Sequence, residues 1–174
     1  MIGLGILLAA GCAGSQGNGG KGNVEGDVIV ARGKVSARGS TPFSMLLLEG
    51  ADGKMYAIES GALTDELRNL DGMDVSVRGT VVPQTGEHVT LGVISYEILA
   101  LPSGETPIVG TIRPGGFIED TNLIVWVIDG DFAGVLKDFV GAKVWVVGVP
   151  MESIERPEAT YRVLLVTEYG VIRP

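Results

Sequence analysis

The sequence predicts an all-β chain with minor α content, built as two small five-stranded barrels in tandem, each closed at one end by a short helix. Three observations predict it. From Val24 onward, short β-branched runs alternate with Gly, Pro, Asp and Asn, and the helical period is nearly absent. Glycine makes up 27 of 174 residues, roughly double the usual ~7 %, which favours turns over long helices. Finally, a block of sequence in the first half recurs without a gap in the second.

The first copy reads as strands over residues 28–35, 44–48 and 54–59, a helix over 64–70, and strands over 74–82 and 88–101. Gly50-Ala51-Asp52-Gly53 joins the second and third strands as a hairpin, with glycine where positive φ is needed. Leu63, Leu67 and Leu70 fall at i, i+4 and i+7 and mark one helical face. Asp65 and Glu66 lie in the first turn, where carboxylates complement free backbone amides. Gly72 supplies the stop. In the next strand Val75 and Val77 face the core, and Gly79 lets the chain bend at a corner. Two prolines in Pro102-Ser103-Gly104-Glu105-Thr106-Pro107 block helix continuation and sheet pairing, which makes residues 102–107 a linker. Residues 24–101 then form the first barrel and residues 108–174 the second. Neither half is large, so a shared interface is expected.

Residues 67–79 (LRNLDGMDVSVRG) align without a gap on residues 136–148 (LKDFVGAKVWVVG), and residues 31–35 (ARGKV) match 108–112 (IVGTI). The offsets are 69 and 77, so the second copy is about eight residues shorter between these blocks. The shortening is expected in the hairpin that holds Asp52 and Gly53. The order β-β-β-α-β-β, with L-x-x-L-x-G-x-x-V-x-V-x-G after the helix, resembles the OB-fold, which implies a five-stranded Greek-key barrel. That fold hosts many functions and selects none of them.

Residues 2–10 form an apolar run without charge, the length of a signal-peptide core and too short to span a bilayer. Leu8-Ala9-Ala10-Gly11-Cys12 resembles the lipobox of bacterial lipoproteins. The resemblance implies removal of residues 1–11, acylation of Cys12 and attachment to a membrane of the cell envelope, with several acyl chains giving a durable anchor. Residues 13–23 (AGSQGNGGKGN) contain nothing apolar larger than Ala and read, together with Cys12, as a flexible tether over 12–23. Eleven such residues span about 18 Å r.m.s..

Composition excludes several classes. One Cys and one His leave no disulfide framework and no Cys/His zinc site. Thirteen Lys and Arg against 21 Asp and Glu give a net charge of −8, the wrong sign for a phosphate backbone, so no nucleic-acid partner is expected. The lone His88 follows a hairpin loop and reads as solvated rather than metal-binding. The segments Glu119-Asp120-Thr121-Asn122 and Asp129-Gly130-Asp131 lack the alternating oxygens of a calcium loop and read as turns. No serine sits in a nucleophile elbow. No catalytic residue, metal or cofactor is expected.

The two copies differ most on one strand. Ser76, Arg78 and Thr80 of the first copy align with Trp145, Val147 and Val149 of the second, on the face opposite Val144 and Val146. Residues 123–128 (LIVWVI) are apolar at both parities and read as a strand buried on both sides, with Trp126 at its centre. A bare apolar face of this size is uncommon. Three readings of Trp126, Trp145, Val147 and Val149 stay open: packing against the first barrel, contact with a partner protein or a second copy, or a ligand groove in which Trp stacks on a sugar or base. The expected function is a non-catalytic, lipid-anchored envelope module that binds envelope proteins or glycans. The alternatives are a small-molecule or oligosaccharide binder and a self-associating assembly factor.

Overall fold

The computed structural model describes residues 26–40, 44–82, 88–156 and 159–174, with backbone alone at 156, 159 and 160. The leader, Cys12 and the tether lie outside the described residues, as does the loop 83–87. Among the described residues, ten strands and two short helices follow one another in the expected order. The first half holds β1 (Val28–Arg38), β2 (Met45–Gly50), β3 (Met55–Ile58), α1 (Thr64–Arg68), β4 (Asp74–Val82) and β5 (Val89–Ala100). The second holds β6 (Ile108–Arg113), β7 (Phe117–Asp120), β8 (Val125–Asp129), α2 (Ala133–Leu136) with a 3-10 turn at Lys137–Phe139, β9 (Lys143–Arg156) and β10 (Ala159–Arg173).

Each set of five strands closes into a ring. The first runs β1-β2-β3-β5-β4 and the second β6-β7-β8-β10-β9. All neighbours are antiparallel except β3 with β5 and β8 with β10. That parallel closure requires a crossover from β3 to β5 by way of α1 and β4, and its counterpart runs by way of α2 and β9.

Matched residues make matched contacts. The N–H of Gly72 donates to the carbonyl of Val35 and that of Gly141 to the carbonyl of Ile112, both at 2.9 Å. Gly72 and Gly141 both sit at positive φ (81° and 94°), where each helical segment stops. A Cβ on Gly33 would collide with the carbonyl of Glu49, and one on Gly110 with that of Glu119. These glycines recur because two backbones pass too closely there for any side chain. At the expected corner, the β4–β5 register shifts between Arg78 and Gly79.

The missing residues are not where the sequence placed them. Leu48 pairs with Tyr56 and Ile118 with Trp126, so the hairpin holding Asp52 and Gly53 has the same length in both copies. Val35 pairs with Leu48 whereas Ile112 pairs with Ile118, so the first hairpin is the one that shortens, by seven residues. In the second copy Gly115 and Gly116, both at positive φ, turn the chain at once. The strand at 123–128 also differs from expectation. It begins at Val125, is half-buried, and is preceded by Leu123, which is 77 % exposed at φ 62°. The Asp120 carboxylate accepts the N–H groups of Asn122 (2.8 Å) and Ile124 (2.9 Å), and this turn throws Leu123 outward.

Candidate functional site

The pleat of β9 sends Val144 and Val146 into the second barrel and Trp145 and Val147 to its outside. That outer side lies in the interior of the molecule. Trp145 is 6 % exposed and Val147 5 %, and with Ile172 they belong to the apolar cluster that fills the first barrel. The indole lies over Gly170, where a Cβ would come within 2.5 Å of the ring. Val149, two residues further along, is 53 % exposed. Trp126 lies elsewhere, half-buried in the second barrel. Its Nε1 donates to Asp120 Oδ2 at 3.1 Å, and the Arg162 guanidinium stands 5.5 Å from the ring centroid. The four residues therefore occupy three settings and form no single site.

A polar cluster adjoins this apolar seam. Glu66 of α1 is buried, and its Oε2 accepts hydrogen bonds from Tyr96 Oη (2.5 Å) and Lys143 Nζ (2.7 Å). Lys143 also donates to Tyr96 Oη at 2.9 Å, and Arg173 Nη1 stands 3.2 Å from Glu66 Oε1. Asn69 of the same helical turn donates to the carbonyl of Ile172 at 3.0 Å. Burial pushes the Glu66 carboxyl up, but the hydrogen bonds of Lys143 and Tyr96 and the charges of Lys143 and Arg173 outweigh it and hold the group below its ordinary value. Burial and the Glu66 hydrogen bond push the Tyr96 phenol far above its usual range, so Tyr96 remains a donor.

This corrects the expected role of Glu66. Helix α1 has no side-chain cap at its N-terminus; the Thr64 hydroxyl instead accepts from the Gly61 N–H (2.8 Å) and donates to the Glu59 carbonyl (2.9 Å). Glu66 serves the second barrel. Its ionic partners lie on β9 and β10, far along the chain, so no local pattern marks it.

A concave feature lies on the outer face of the second barrel. It encloses about 190 Å³ between Phe117, Val127, Lys137, Ile154 and Tyr161, with the Gly115-Gly116 turn at its edge. The Phe117 and Tyr161 rings are 6.1 Å apart and inclined by 32°, a shallow aromatic trough. A Cβ on Gly116 would strike the Lys137 side chain, so the bare turn lets that lysine lie against the trough. Such faces accept the C–H faces of sugars or apolar side chains, and the lysine offers hydrogen bonds to oxygens. Ligand stacking, one of the three readings left open for Trp126 and Trp145, is better served by this pair. Phe117 and Tyr161 are brought together only by ring closure through β8.

Among the described residues no group of three or more His, Cys, Asp and Glu is gathered to hold a metal. His88 is half-buried just before β5. Comparison with protein-family models gives no match, and a search of curated proteins gives none either.

Proposed function

We propose that the chain is a non-catalytic, lipid-tethered module of the cell envelope that binds glycan through the trough of its second barrel. The observation that carries this reading is the Phe117–Tyr161 pair, two half-buried aromatic rings that line a concavity beside Lys137. Its position suits a binding face: Phe117 opens β7, Val127 lies on β8, and Tyr161 and Ile154 come from the β9–β10 ribbon. In five-stranded barrels of this kind the second and third strands and the adjoining loops commonly meet oligosaccharides. The lipobox-like Leu8-Ala9-Ala10-Gly11-Cys12 and the polar segment after it support attachment at an envelope membrane. The fixed geometry of the two barrels suits a presenting scaffold, because the buried carboxylate Glu66 joins them instead of facing a substrate.

Two measurements test the reading. Titration with soluble peptidoglycan fragments should saturate, and Phe117→Ala should weaken binding about tenfold, the scale of losing one aromatic stacking contact. Cys12→Ala should stay unprocessed and leave the detergent phase. Absence of glycan binding, or equal binding by Phe117→Ala, removes the trough as the site; equal detergent partitioning removes the anchor.

A second reading has its own observation. Val149, Met151 and Ile154 are exposed apolar residues on the β9–β10 ribbon, which extends past the strands beside it and gives a face for a second copy. Sedimentation of the full chain distinguishes it, since this reading requires a dimer that Val149→Asp dissolves.

A further inference from the structure

We propose that the cleft between the two barrels is a separate binding site for a small zwitterion, the class of free amino acids and short peptides. The cleft encloses about 290 Å³ and is walled by β5, the linker, the start of β6, the β7–β8 turn and Lys143. Junctions between domains are a favoured place for small-molecule sites, and its volume is near the lower end of such pockets.

The charges of the cleft define what fits it. On the second-barrel wall, Asp120 is held by three neutral donors: the N–H groups of Asn122 and Ile124 and the Trp126 indole. Among the described residues no cation pairs with it. It is therefore an oriented carboxylate whose charge is not compensated by a partner. Glu97 adds a second carboxylate on the first-barrel wall, exposed and likewise without an ion pair among the described residues.

Lys143 lines the same cleft with its side chain 26 % exposed. Two of its three ammonium hydrogens go to Glu66 and Tyr96, which fix its position, and one is left to donate. Thr106 and Asn122 also line the cleft. A ligand with an ammonium at one end for Asp120 and Glu97 and a carboxylate at the other for Lys143 complements the lining of the cleft. A simple anion meets the field of Asp120 and Glu97, and a simple cation leaves the remaining Lys143 hydrogen unused. Neither Phe117 nor Tyr161 lines this cleft, so this site and the trough stand or fall separately.

The test is calorimetric titration of the full chain with the free amino acids and glycylglycine. Glycinamide and N-acetylglycine serve as probes carrying only the ammonium or only the carboxylate. At least one zwitterion is expected to saturate at one per chain, with both single-charge probes about tenfold weaker or more, the scale of one charge-assisted hydrogen bond. Asp120→Asn keeps an oxygen for the turn amides and removes the charge, and should weaken binding by a similar factor. Glu97→Gln, at an exposed position, should weaken it several-fold and serves if Asp120→Asn does not fold. The proposal is overturned if no zwitterion saturates, if the single-charge probes bind as well, or if neither folded variant weakens binding.

Discussion

The seam between the barrels can be probed at one contact from both sides. Trp145→Ala removes a buried indole from the apolar cluster of the first barrel, and truncations of this kind cost about 3–5 kcal/mol. For a chain of this length each kcal/mol moves Tm by about 2–4 °C, so the expected fall is about 6–20 °C. Gly170→Ala probes the same contact by overfilling it. Its Cβ would come within 2.5–2.7 Å of three indole atoms, and because the ring is rigid and buried, something must shift. Gly170 does not have a positive φ, so the ring is the principal obstacle to the methyl. Overpacking of this kind costs about 1–3 kcal/mol. The two effects are not additive: with the indole gone, the methyl enters the space it vacated. In a double-mutant cycle followed by thermal and denaturant unfolding, the cost of Gly170→Ala should vanish or change sign in the Trp145→Ala background. An equal cost in both backgrounds, or a Trp145→Ala melting point within about 2 °C of the parent, would refute the shared core.

Glu66→Gln should lower stability at neutral pH by about 1.5–3 kcal/mol, the range for hydrogen bonds to a charged group, and no more because Lys143 and Arg173 keep some access to water. The folded-state carboxyl titrates below its ordinary value of 4.5, so its contribution is complete above that value and is lost as pH falls through the lower folded value. Denaturant unfolding followed below pH about 4.5 should therefore decline more steeply in the parent than in Glu66→Gln, and parallel profiles would count against the cluster. Gly33→Ala and Gly110→Ala should each destabilise by more than about 1 kcal/mol, since in each the methyl meets a strand carbonyl that has no room to retreat. If only one of the pair is costly, the equivalence of the two barrels at that crossing is lost.

The parts of the fold that are local in sequence were legible. Val75 and Val77 alternating before Gly79, and the block around Val144 and Val146 that repeats them, specify a strand, its inner face and its bend. β4 occupies the expected residues, and Gly50 to Gly53 closes the expected hairpin, with the Gly53 N–H donating to the Gly50 carbonyl at 2.9 Å. The features that depend on distant residues were not legible. Glu66 reads as a helix-end carboxylate until Lys143 and Arg173 are brought beside it. Phe117 and Tyr161 meet only because β8 pairs with β7 on one side and with β10 on the other. The length difference between the copies falls in a different hairpin from the expected one for a related reason. An alignment fixes how many residues are missing, whereas cross-strand pairing decides which turn gives them up.

The first barrel completes its interior with Trp145, Val147 and Ile172, the last of which lies on β10, the closing strand of the second barrel. A polypeptide made from its N-terminus cannot finish packing the earlier half until that strand has been added. One strand thus supplies the last of the first interior and the last stave of the second ring.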